Sequence, residues 1–160
     1  MPNEIFTIGY EKRSVEEVLA ILRMAEIGIL TDVRTNAYSR KAGFSLGELD
    51  PVMRRNGILY RHYGGLGADR QHRDDLEKTG DYEAFFRAYK GSLFGKKKTS
   101  VAVLQAILDG IDGRKVAIMC YEADPLKCHR SALAEFMQGA DPELQIIHLP
   151  TQETTDAKRD

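Results

Sequence analysis

The chain has 160 residues, a length that allows one well-buried core and is too short for two ordinary domains. Hydrophobic residues make up 42% of the sequence and charged residues 29%, a balance typical of a soluble globular protein. The formal net charge of -1 excludes the strongly basic composition of proteins that coat nucleic acid, although local basic patches are compatible with it.

The start of the sequence predicts neither a secretion signal nor a membrane span. The apolar run that follows residues 1–4 is too short for the hydrophobic segment of either. We therefore expect a cytoplasmic protein without membrane contact, in which Cys120 and Cys128 are normally reduced. Two cysteines in a chain of this size predict no disulfide framework.

The first part of the chain predicts a strand–helix–strand unit. Ile5–Tyr10 has the pattern of a short strand, and Ser14 with Glu17 gives the capping-box pattern of a helix start. Apolar residues follow at helical spacing, namely Val15, Val18, Leu19 and Leu22. Gly28 is predicted to end the helix, and Ile29–Arg34 to form the second strand. The length of this unit suits a right-handed crossover between parallel strands.

A second helix and a third strand are predicted in the middle of the chain. A polar loop over residues 35–44 comes first. The helix then begins at Ser45, as a second capping box, or at Asp50-Pro51, because proline suits the first helical position. It ends near Asn56-Gly57, and the third strand covers residues 58–63.

Residues 64–80 are predicted to form a flexible loop. The segment begins with Gly64-Gly65-Leu66-Gly67 and continues through a strongly polar stretch that contains Arg70, His72 and Arg73. Long loops of this kind are typical of mobile segments that cover a site, and we expect this one to act as a cover. The glycine run lacks the spacing and the helix of a Walker loop or a dinucleotide-binding fingerprint.

The next segments alternate predicted helices with a predicted strand. Asp81 caps a helix whose aromatic residues form a packing stripe. A solvated loop over residues 96–98 precedes a further helix capped by Ser100. Asp112-Gly113 then turns the chain into a buried fourth strand that ends at Cys120.

The predicted elements form a single α/β domain over residues 1–150. The last helix ends near Gly139, a fifth strand covers Leu144–Leu149, and residues 151–160 form an expected flexible tail with almost no apolar side chains. Strands that alternate with helices imply three layers: a mostly parallel sheet of about five strands with helices on both faces. Ligands bind such open sheets beyond the carboxyl ends of the strands.

Polar residues at the predicted strand ends favour a site at that edge of the sheet. Tyr10 closes the first strand, Asp32 and Arg34 close the second, and Glu122 follows the fourth. Because Asp32 and Arg34 are two residues apart in a strand, their side chains point to one face. They predict either a structural ion pair with a neighbouring strand or a site carboxylate beside an anion-binding arginine. In the second case Arg40 and Lys41 of the following loop add positive potential.

The turn after the fourth strand concentrates cationic residues. Asp124 suits the N-cap position and Pro125 the first helical position, which places Lys127 and Arg130 in the first turn and a half of the last helix. Cations there oppose the helix dipole, and an anion bound by backbone N–H groups and Arg130 would reverse that penalty. The alternative is that both cations face water or pair with Asp124.

The same stretch contains the candidates for catalysis. Glu122 is an acid–base group or nucleophile, or a solvated carboxylate. His129 shares the apolar stripe of the helix and is a structural histidine or a general base. Cys128 lies near the helix start with cationic neighbours, which lower a thiol pKa, whereas Cys120 has the pattern of a small buried residue. The spacing of the cysteines and histidines matches no common zinc pattern, so we expect neither a metal site nor a cofactor.

Several short segments, taken in order, resemble one known family. These segments are Thr7-Ile8-Gly9-Tyr10, Asp32-Val33-Arg34, Ser39-Arg40 with Gly43-Phe44, Gly57-Ile58 with Tyr60, Gly64-Gly65-Leu66-Gly67, and Cys120-Tyr121-Glu122 with Cys128-His129-Arg130. The chain is similar in them to members of the domain of unknown function 488 family, from about Ile5 to Leu149. One departure is Asn36-Ala37, where the family often has proline after the Asp-Val-Arg run. The resemblance implies an α/β domain and brings no established activity.

The leading functional prediction is an enzyme that acts on a phosphorylated small molecule, a nucleotide or a nucleic-acid end. The candidates for catalysis are Glu122, Asp32, His129 and Cys128, and those for ligand binding are Tyr10, Arg34, Ser39, Arg40 and Arg130. One alternative is a non-catalytic module that binds a nucleotide or nucleic acid in the same pocket. The other is a thiol-dependent enzyme or redox sensor that uses Cys128.

Overall fold

A parallel β-sheet of five strands forms the centre of the molecule. The computed structural model describes residues 4–95 and 113–151. The strands are β1 (Glu4–Gly9), β2 (Ile27–Asp32), β3 (Leu59–His62), β4 (Lys115–Cys120) and β5 (Gln145–Leu149). The helices are α1 (Val15–Met24), α2 (Leu46–Arg55), α3 (Arg70–Thr79), α4 (Tyr82–Gly95) and α5 (His129–Ala140). Within these residues, no helix is both long enough and apolar enough to cross a membrane.

The order of the strands brings distant segments of the chain together. The sheet has the order β3-β2-β4-β1-β5, and all neighbouring strands are parallel. The register places Asp32 between His62 of β3 and Met119 of β4, and it places Gly9 beside Cys120. All the carboxyl ends therefore lie at one edge of the sheet, which confirms the fold class predicted from the alternation of strands and helices.

Helices cover both faces of the sheet, because successive side chains of a strand point to opposite sides. One buried cluster lies on the side of α4 and α5 and includes Ile29, Ile118, Tyr89 and Leu133. The other lies on the side of α1 and α2 and includes Leu30, Met119, Leu22 and Leu49. Since both faces are buried, the central strands β1, β2 and β4 are nearly continuous buried runs, as is usual in parallel sheets, whereas the edge strands β3 and β5 carry more polar residues.

The two predicted capping boxes have different outcomes. Before α1, the Ser14 hydroxyl accepts a hydrogen bond from the Glu17 amide at 3.1 Å, which confirms that helix start. Before α2, Ser45 occupies the N-cap position but its hydroxyl accepts a bond from the Ser39 amide at 3.0 Å and caps nothing. Ser45 therefore marks the helix start, while its side chain bonds to Ser39 of the preceding loop. Pro51 lies inside the helix, so the helix does not begin at Asp50-Pro51.

The predicted end of α1 at Gly28 is wrong. The helix ends at Met24, and Glu26, with a φ of 59°, reverses the chain. Gly28 is already part of β2, where a Cβ atom would lie 2.9 Å from the Cβ of Arg114. Glycine at this position thus allows the segment before β4 to approach β2, and it does not stop the helix.

The predicted flexible loop over residues 64–80 is also wrong. The segment forms a 3-10 turn over Gly64–Leu66 and then α3. The Tyr89 hydroxyl of α4 donates a hydrogen bond to the Leu66 carbonyl at 2.6 Å, and the Thr35 hydroxyl donates one to the Ala68 carbonyl at 3.0 Å. Helix α3 has no buried residue, so its sequence lacks the apolar stripe by which amphipathic helices are recognised.

The later predicted elements agree with the structure where they can be compared. An Asp81 carboxylate oxygen accepts a bond from the Ala84 amide at 3.0 Å at the start of α4, and Phe85 and Tyr89 of that helix are buried. Strands β4 and β5 lie where they were predicted. The solvated loop over residues 96–98, the helix expected after Ser100 and residues 152–160 of the expected tail lie outside the described residues.

Candidate functional site

A pocket of about 680 Å³ opens at the carboxyl edge of the sheet. Segments that follow β1, β2 and β4 form its floor, and α3 with the start of α4 forms its opposite wall. Four of the predicted site residues line it: Tyr10, Arg34, Glu122 and His129. Asp32, Ser39, Arg40, Cys128 and Arg130 are not part of its lining. The position of the pocket agrees with the rule for ligand sites in open parallel sheets.

Asp32 and Arg34 form a buried ion pair with each other. Arg34 Nη2 lies 2.6 Å from Asp32 Oδ2, and Arg34 Nε lies 2.9 Å from Oδ1. The Tyr60 hydroxyl of β3 also donates to Oδ2. The side chains share one face, as their spacing predicted, but the charged partner of Asp32 comes from its own strand end, and the neighbouring strand contributes only the uncharged Tyr60 hydroxyl.

This ion pair directs part of Arg34 toward the pocket. A guanidinium has five N–H donors. Nε and Nη2 each donate one N–H group to Asp32, and Nη1 donates one to the Tyr10 hydroxyl at 3.1 Å. Two N–H groups are therefore left over by Asp32 and Tyr10, and the guanidinium also lies beside the Tyr60 hydroxyl. Burial alone would lower the pKa of Arg34, but the hydrogen bonds and charge of Asp32 raise it, so the guanidinium stays charged.

Aromatic rings form one side of the pocket. Tyr10 is buried and stacks on Phe44 with ring centroids 4.3 Å apart, while Tyr121 packs edge-on against it at 5.3 Å. Tyr121 itself is 45% exposed. On the opposite side, Tyr82 and Phe85 of α4 border the same space. A planar group that enters the pocket would therefore meet rings from two directions.

Arg40 and Lys41 were predicted to bring positive charge to the site, but neither side chain of this loop between β2 and α2 lines the pocket. Ser39 bonds within the loop, where its hydroxyl accepts from the Lys41 amide at 3.1 Å. The Lys41 ammonium donates to the Tyr10 carbonyl at 3.0 Å and lies over the Phe44 ring. Arg40 is exposed and lies away from the pocket lining. Ser39 and Lys41 thus support Tyr10 from behind.

The turn after β4 is built differently from the prediction. Asp124 caps the Leu126 amide at 2.9 Å, but only a 3-10 turn over Pro125–Lys127 follows. The chain extends again at Cys128, which is the N-cap residue of α5 and accepts a bond from the Arg130 amide at 3.5 Å. The prediction of one continuous helix from Pro125 is therefore wrong, because the extended backbone at Cys128 separates Lys127 from α5.

Arg130 supports this turn from inside the protein. Its side chain is fully buried, and its guanidinium donates to the carbonyl oxygens of Glu122 and Ala123, the latter at 3.2 Å. Gly9 makes room for the same strand end, since a Cβ atom there would lie 1.8 Å from the Glu122 carbonyl oxygen. Arg130 therefore fixes the backbone that carries Glu122, and its guanidinium does not line the pocket.

Cys120, Cys128 and His129 form a buried cluster beside the pocket. Cys120 Sγ lies 3.6 Å from His129 Nδ1, and His129 Nε2 lies 3.1 Å from the Val33 carbonyl oxygen. Burial raises the pKa of the Cys128 thiol well above its ordinary value, and the neighbouring Cys120 adds to this effect. This direction is opposite to the predicted lowering, so the surroundings of Cys128 do not favour a free reactive thiolate.

The structure also adds pocket residues that sequence reasoning did not assign to the site. Arg73 and Glu77 come from α3, which was predicted as a loop, and Lys127 comes from the 3-10 turn. Tyr121 and Lys127 both lie in the segment that the sequence analysis singled out, Tyr121 in the Cys-Tyr-Glu run and Lys127 in the cationic turn after it. The cationic groups that line the pocket are thus Arg34, Arg73 and Lys127, and the carboxylates are Glu77 and Glu122.

Comparison with known families gives one match. The family model described as domain of unknown function DUF488 matches residues 14–137, which covers most of the chain and every residue that lines the pocket except Tyr10. Searches of curated proteins and of solved structures find no match to the chain.

Proposed function

We propose that this protein is an enzyme that acts on a phosphorylated, nucleotide-type ligand. The chain belongs to the DUF488 family, which is described as a domain of unknown function, so the proposal rests on the site. The ligand would be a mononucleotide or the end of a nucleic acid. The observation that supports this proposal is one pocket that combines three cationic side chains with aromatic rings at the carboxyl edge of a parallel sheet.

The charge of the pocket lining suits a phosphate group. Arg34, Arg73 and Lys127 contribute three positive charges to the lining and Glu77 and Glu122 two negative ones, while Asp32, behind the lining, offsets the charge of Arg34. The two N–H groups of Arg34 that Asp32 and Tyr10 leave free can bind two phosphate oxygens. Asp32 holds the guanidinium in place for that contact, and we assign it this positioning role.

The aromatic side chains suit the planar base of a nucleotide. Tyr121 is partly exposed at the pocket and faces the stacked Tyr10 and Phe44 pair. Stacking of a base on such rings contributes about 1–3 kcal/mol. A volume of about 680 Å³ also lies within the usual range for small-molecule sites, which is about 300–1,000 Å³.

Glu122 is the candidate for proton transfer or nucleophilic attack. It is the carboxylate at the strand end, its backbone is fixed by Arg130, and its Oε2 lies 3.7 Å from Cys120 Sγ. Glu77, in contrast, is exposed on α3. A carboxylate held at the edge of the pocket can activate water or a hydroxyl group against the bound ligand.

A ligand screen by thermal shift tests the binding part of the proposal. Inorganic phosphate, AMP, ADP, ATP and a short single-stranded DNA should raise the unfolding temperature more than adenosine does. Arg73→Gln should weaken this effect, whereas Lys78→Gln, an exposed position on the same helix outside the pocket lining, serves as the matched control. If none of the phosphorylated ligands stabilises the wild type more than adenosine does, the pocket does not bind phosphate, and an unchanged response of Arg73→Gln would remove Arg73 from the site.

A turnover assay tests the catalytic part. The bound ligands are incubated with the protein, and products are followed by ³¹P NMR and chromatography. Glu122→Gln should lower turnover by about 10²–10⁴-fold, the usual range for loss of an acid–base group, and leave ligand binding intact.

A non-catalytic binding module is the second candidate. It is favoured by the saturation of Asp32, whose two oxygens are occupied by Arg34 and Tyr60, because this removes one of the predicted catalytic carboxylates from the pocket. Tight binding that Glu122→Gln leaves unchanged, with no product from any bound ligand, would support the module over the enzyme.

A further inference from the structure

The proposed function assigns no role to the cluster of Cys120, Cys128 and His129. Folding brings the end of β4 against the start of α5, so that two sulfurs and an imidazole nitrogen all lie within 4.8 Å of one another. All three residues are buried. Among residues 4–95 and 113–151, this is the one group of three or more cysteine, histidine or acidic side chains placed so closely.

We propose that Cys120, Cys128 and His129 bind one Zn²⁺ ion or a similar thiophilic divalent metal. Two thiolates and one imidazole are the ligands that select zinc over magnesium or calcium, which prefer oxygen. On binding, each cysteine releases its thiol proton to solvent and forms a sulfur–metal bond, so the protein gives up two protons for one divalent ion.

The distance between Cys120 and His129 is close to that of a tetrahedral site, and the Cys128 sulfur lies within 4.8 Å of both ligand atoms. Zinc–sulfur bonds of about 2.3 Å and zinc–nitrogen bonds of about 2.0 Å at a tetrahedral angle place sulfur and nitrogen about 3.5 Å apart. Cys120 Sγ lies 3.6 Å from His129 Nδ1. The same sulfur lies 3.9 Å from Nε2, so it sits beside the ring, and metal binding requires the imidazole to tilt until Nδ1 faces both sulfurs.

His129 already has the second contact that metal-binding histidines use. Its Nε2 lies 3.1 Å from the Val33 carbonyl oxygen, which can only accept, so Nε2 carries a proton and donates it. Tyr89 packs edge-on against the ring with centroids 5.2 Å apart. These contacts assign the proton to Nε2, which leaves the Nδ1 lone pair for the metal.

The fourth coordination position would face the pocket. Cys120 and His129 both line the pocket, whereas Cys128 lies behind them. The Oε2 atom of Glu122 lies 3.7 Å from Cys120 Sγ, on the pocket side of the cluster. Three protein ligands with one open position is the arrangement of catalytic zinc sites, in which water or a substrate atom completes the set.

Metal titration of the full-length chain tests this inference without any other ligand. The protein is stripped with a chelator, kept reduced with a phosphine, and titrated with Co²⁺ while absorption is recorded. We expect one Co²⁺ per chain, sulfur-to-cobalt charge-transfer bands, tetrahedral d–d bands in the visible range, and displacement of Co²⁺ by Zn²⁺.

Substitutions then assign the ligands. Cys120→Ser and Cys128→Ser should each weaken metal binding by at least about 100-fold, since loss of even an outer-shell partner costs about 10–100-fold. His72→Gln, a half-buried histidine of α3 outside the cluster, is the control and should bind like the wild type. Circular dichroism checks that each variant is folded.

The outcomes separate this inference from the proposed function. Stoichiometric binding with sulfur bands in the wild type supports the metal site even if a variant fails to fold. Wild-type protein that binds no metal, or that binds it without sulfur bands, overturns the site and shows that the cluster is a thiol–imidazole contact only. Nucleotide stabilisation measured in chelator decides the proposed function separately, whichever result the metal titration gives.

Discussion

Two buried polar clusters lie at the same edge of the sheet, and they differ in how completely their polar atoms are satisfied. In the Asp32–Arg34–Tyr60 cluster, both carboxylate oxygens accept hydrogen bonds, several of them shorter than 3.0 Å. In the Cys120–Cys128–His129 cluster, the contacts to Cys120 are 3.6–3.9 Å long.

The difference indicates what each cluster can do. A fully bonded ion pair has little capacity for a new ligand at its carboxylate, so Asp32 holds Arg34 in place. Thiols are weak hydrogen-bond donors and acceptors, so the sulfurs lose little by exchanging these contacts for a metal. The Asp32–Arg34–Tyr60 cluster is therefore a fixed support for the pocket, and the Cys120–Cys128–His129 cluster is the proposed metal site at its border.

The largest expected loss of stability comes from breaking the Asp32–Arg34–Tyr60 cluster. Asp32→Ala leaves the buried Arg34 guanidinium without its counter-charge, and we expect a loss of about 3–5 kcal/mol in the free energy of unfolding. Urea unfolding measures it. Asp50→Ala removes the surface ion pair with Arg54 and should cost less than about 1 kcal/mol. Equal losses in the two variants would show that the Asp32 pair is not the support described above.

A smaller loss of stability is expected for Tyr60→Phe, and this loss should depend on pH. Tyr60→Phe removes a hydrogen bond to a charged group, which should cost about 1.5–3 kcal/mol at neutral pH. Burial and the nearby Asp32 charge raise the pKa of Tyr60, so its neutral form is favoured in the folded state. This contribution is present below the unfolded pKa of about 10 and is lost as the pH rises above it.

The measurement compares wild type and Tyr60→Phe by urea unfolding at pH 8 and pH 11. The stability difference between the two proteins should narrow at the higher pH, because only the wild type ionises Tyr60 on unfolding. A difference that stays constant or widens would mean that Asp32 does not hold the Tyr60 hydroxyl in its neutral form.

Pocket cations should affect binding more than stability. Arg73 is exposed, so Arg73→Gln should weaken nucleotide binding by only about two- to fivefold, and the double variant with Lys127→Gln by about tenfold. Calorimetric titration gives the affinities, with Lys78→Gln as control. Affinity that is the same in the double variant as in the wild type would remove both side chains from the proposed site.

The smallest effect on stability is expected at Glu122. Its side chain is half-buried and forms no ion pair among the described residues, so Glu122→Gln should change the free energy of unfolding by no more than about 0.5 kcal/mol. A larger loss in urea unfolding would assign Glu122 a structural role and weaken its assignment as the group that acts on the ligand.

The sequence allowed the sheet and its functional edge to be predicted because both depend on local patterns. Apolar runs alternate with helical spacing, and the two-residue spacing of Asp32 and Arg34 places both side chains on one face. The contact of Asp32 with Tyr60 depends instead on the register between β2 and β3, which links residues far apart in the chain.

Other parts of the site could not be predicted for similar physical reasons. Arg130 donates to backbone carbonyls, and carbonyls occur at every residue, so no sequence pattern marks its partners. Helix α3 contains one apolar residue, Leu76, which is too few for an apolar stripe, so the segment was predicted as a loop and the position of Arg73 was missed. The cysteine spacing matches no zinc pattern because the cluster forms across the strand-to-helix turn and not along a hairpin.

Chemical-shift mapping of the ¹⁵N-labelled protein with ADP tests the central claim, that the pocket at the sheet edge binds a phosphorylated ligand, most directly. We expect the largest amide shifts on residues around the pocket, above all Arg34, Tyr121, Glu122 and Lys127. Shifts confined to other surfaces, such as the cleft at Asp50 and Arg54, or no shifts at millimolar ADP, would contradict it.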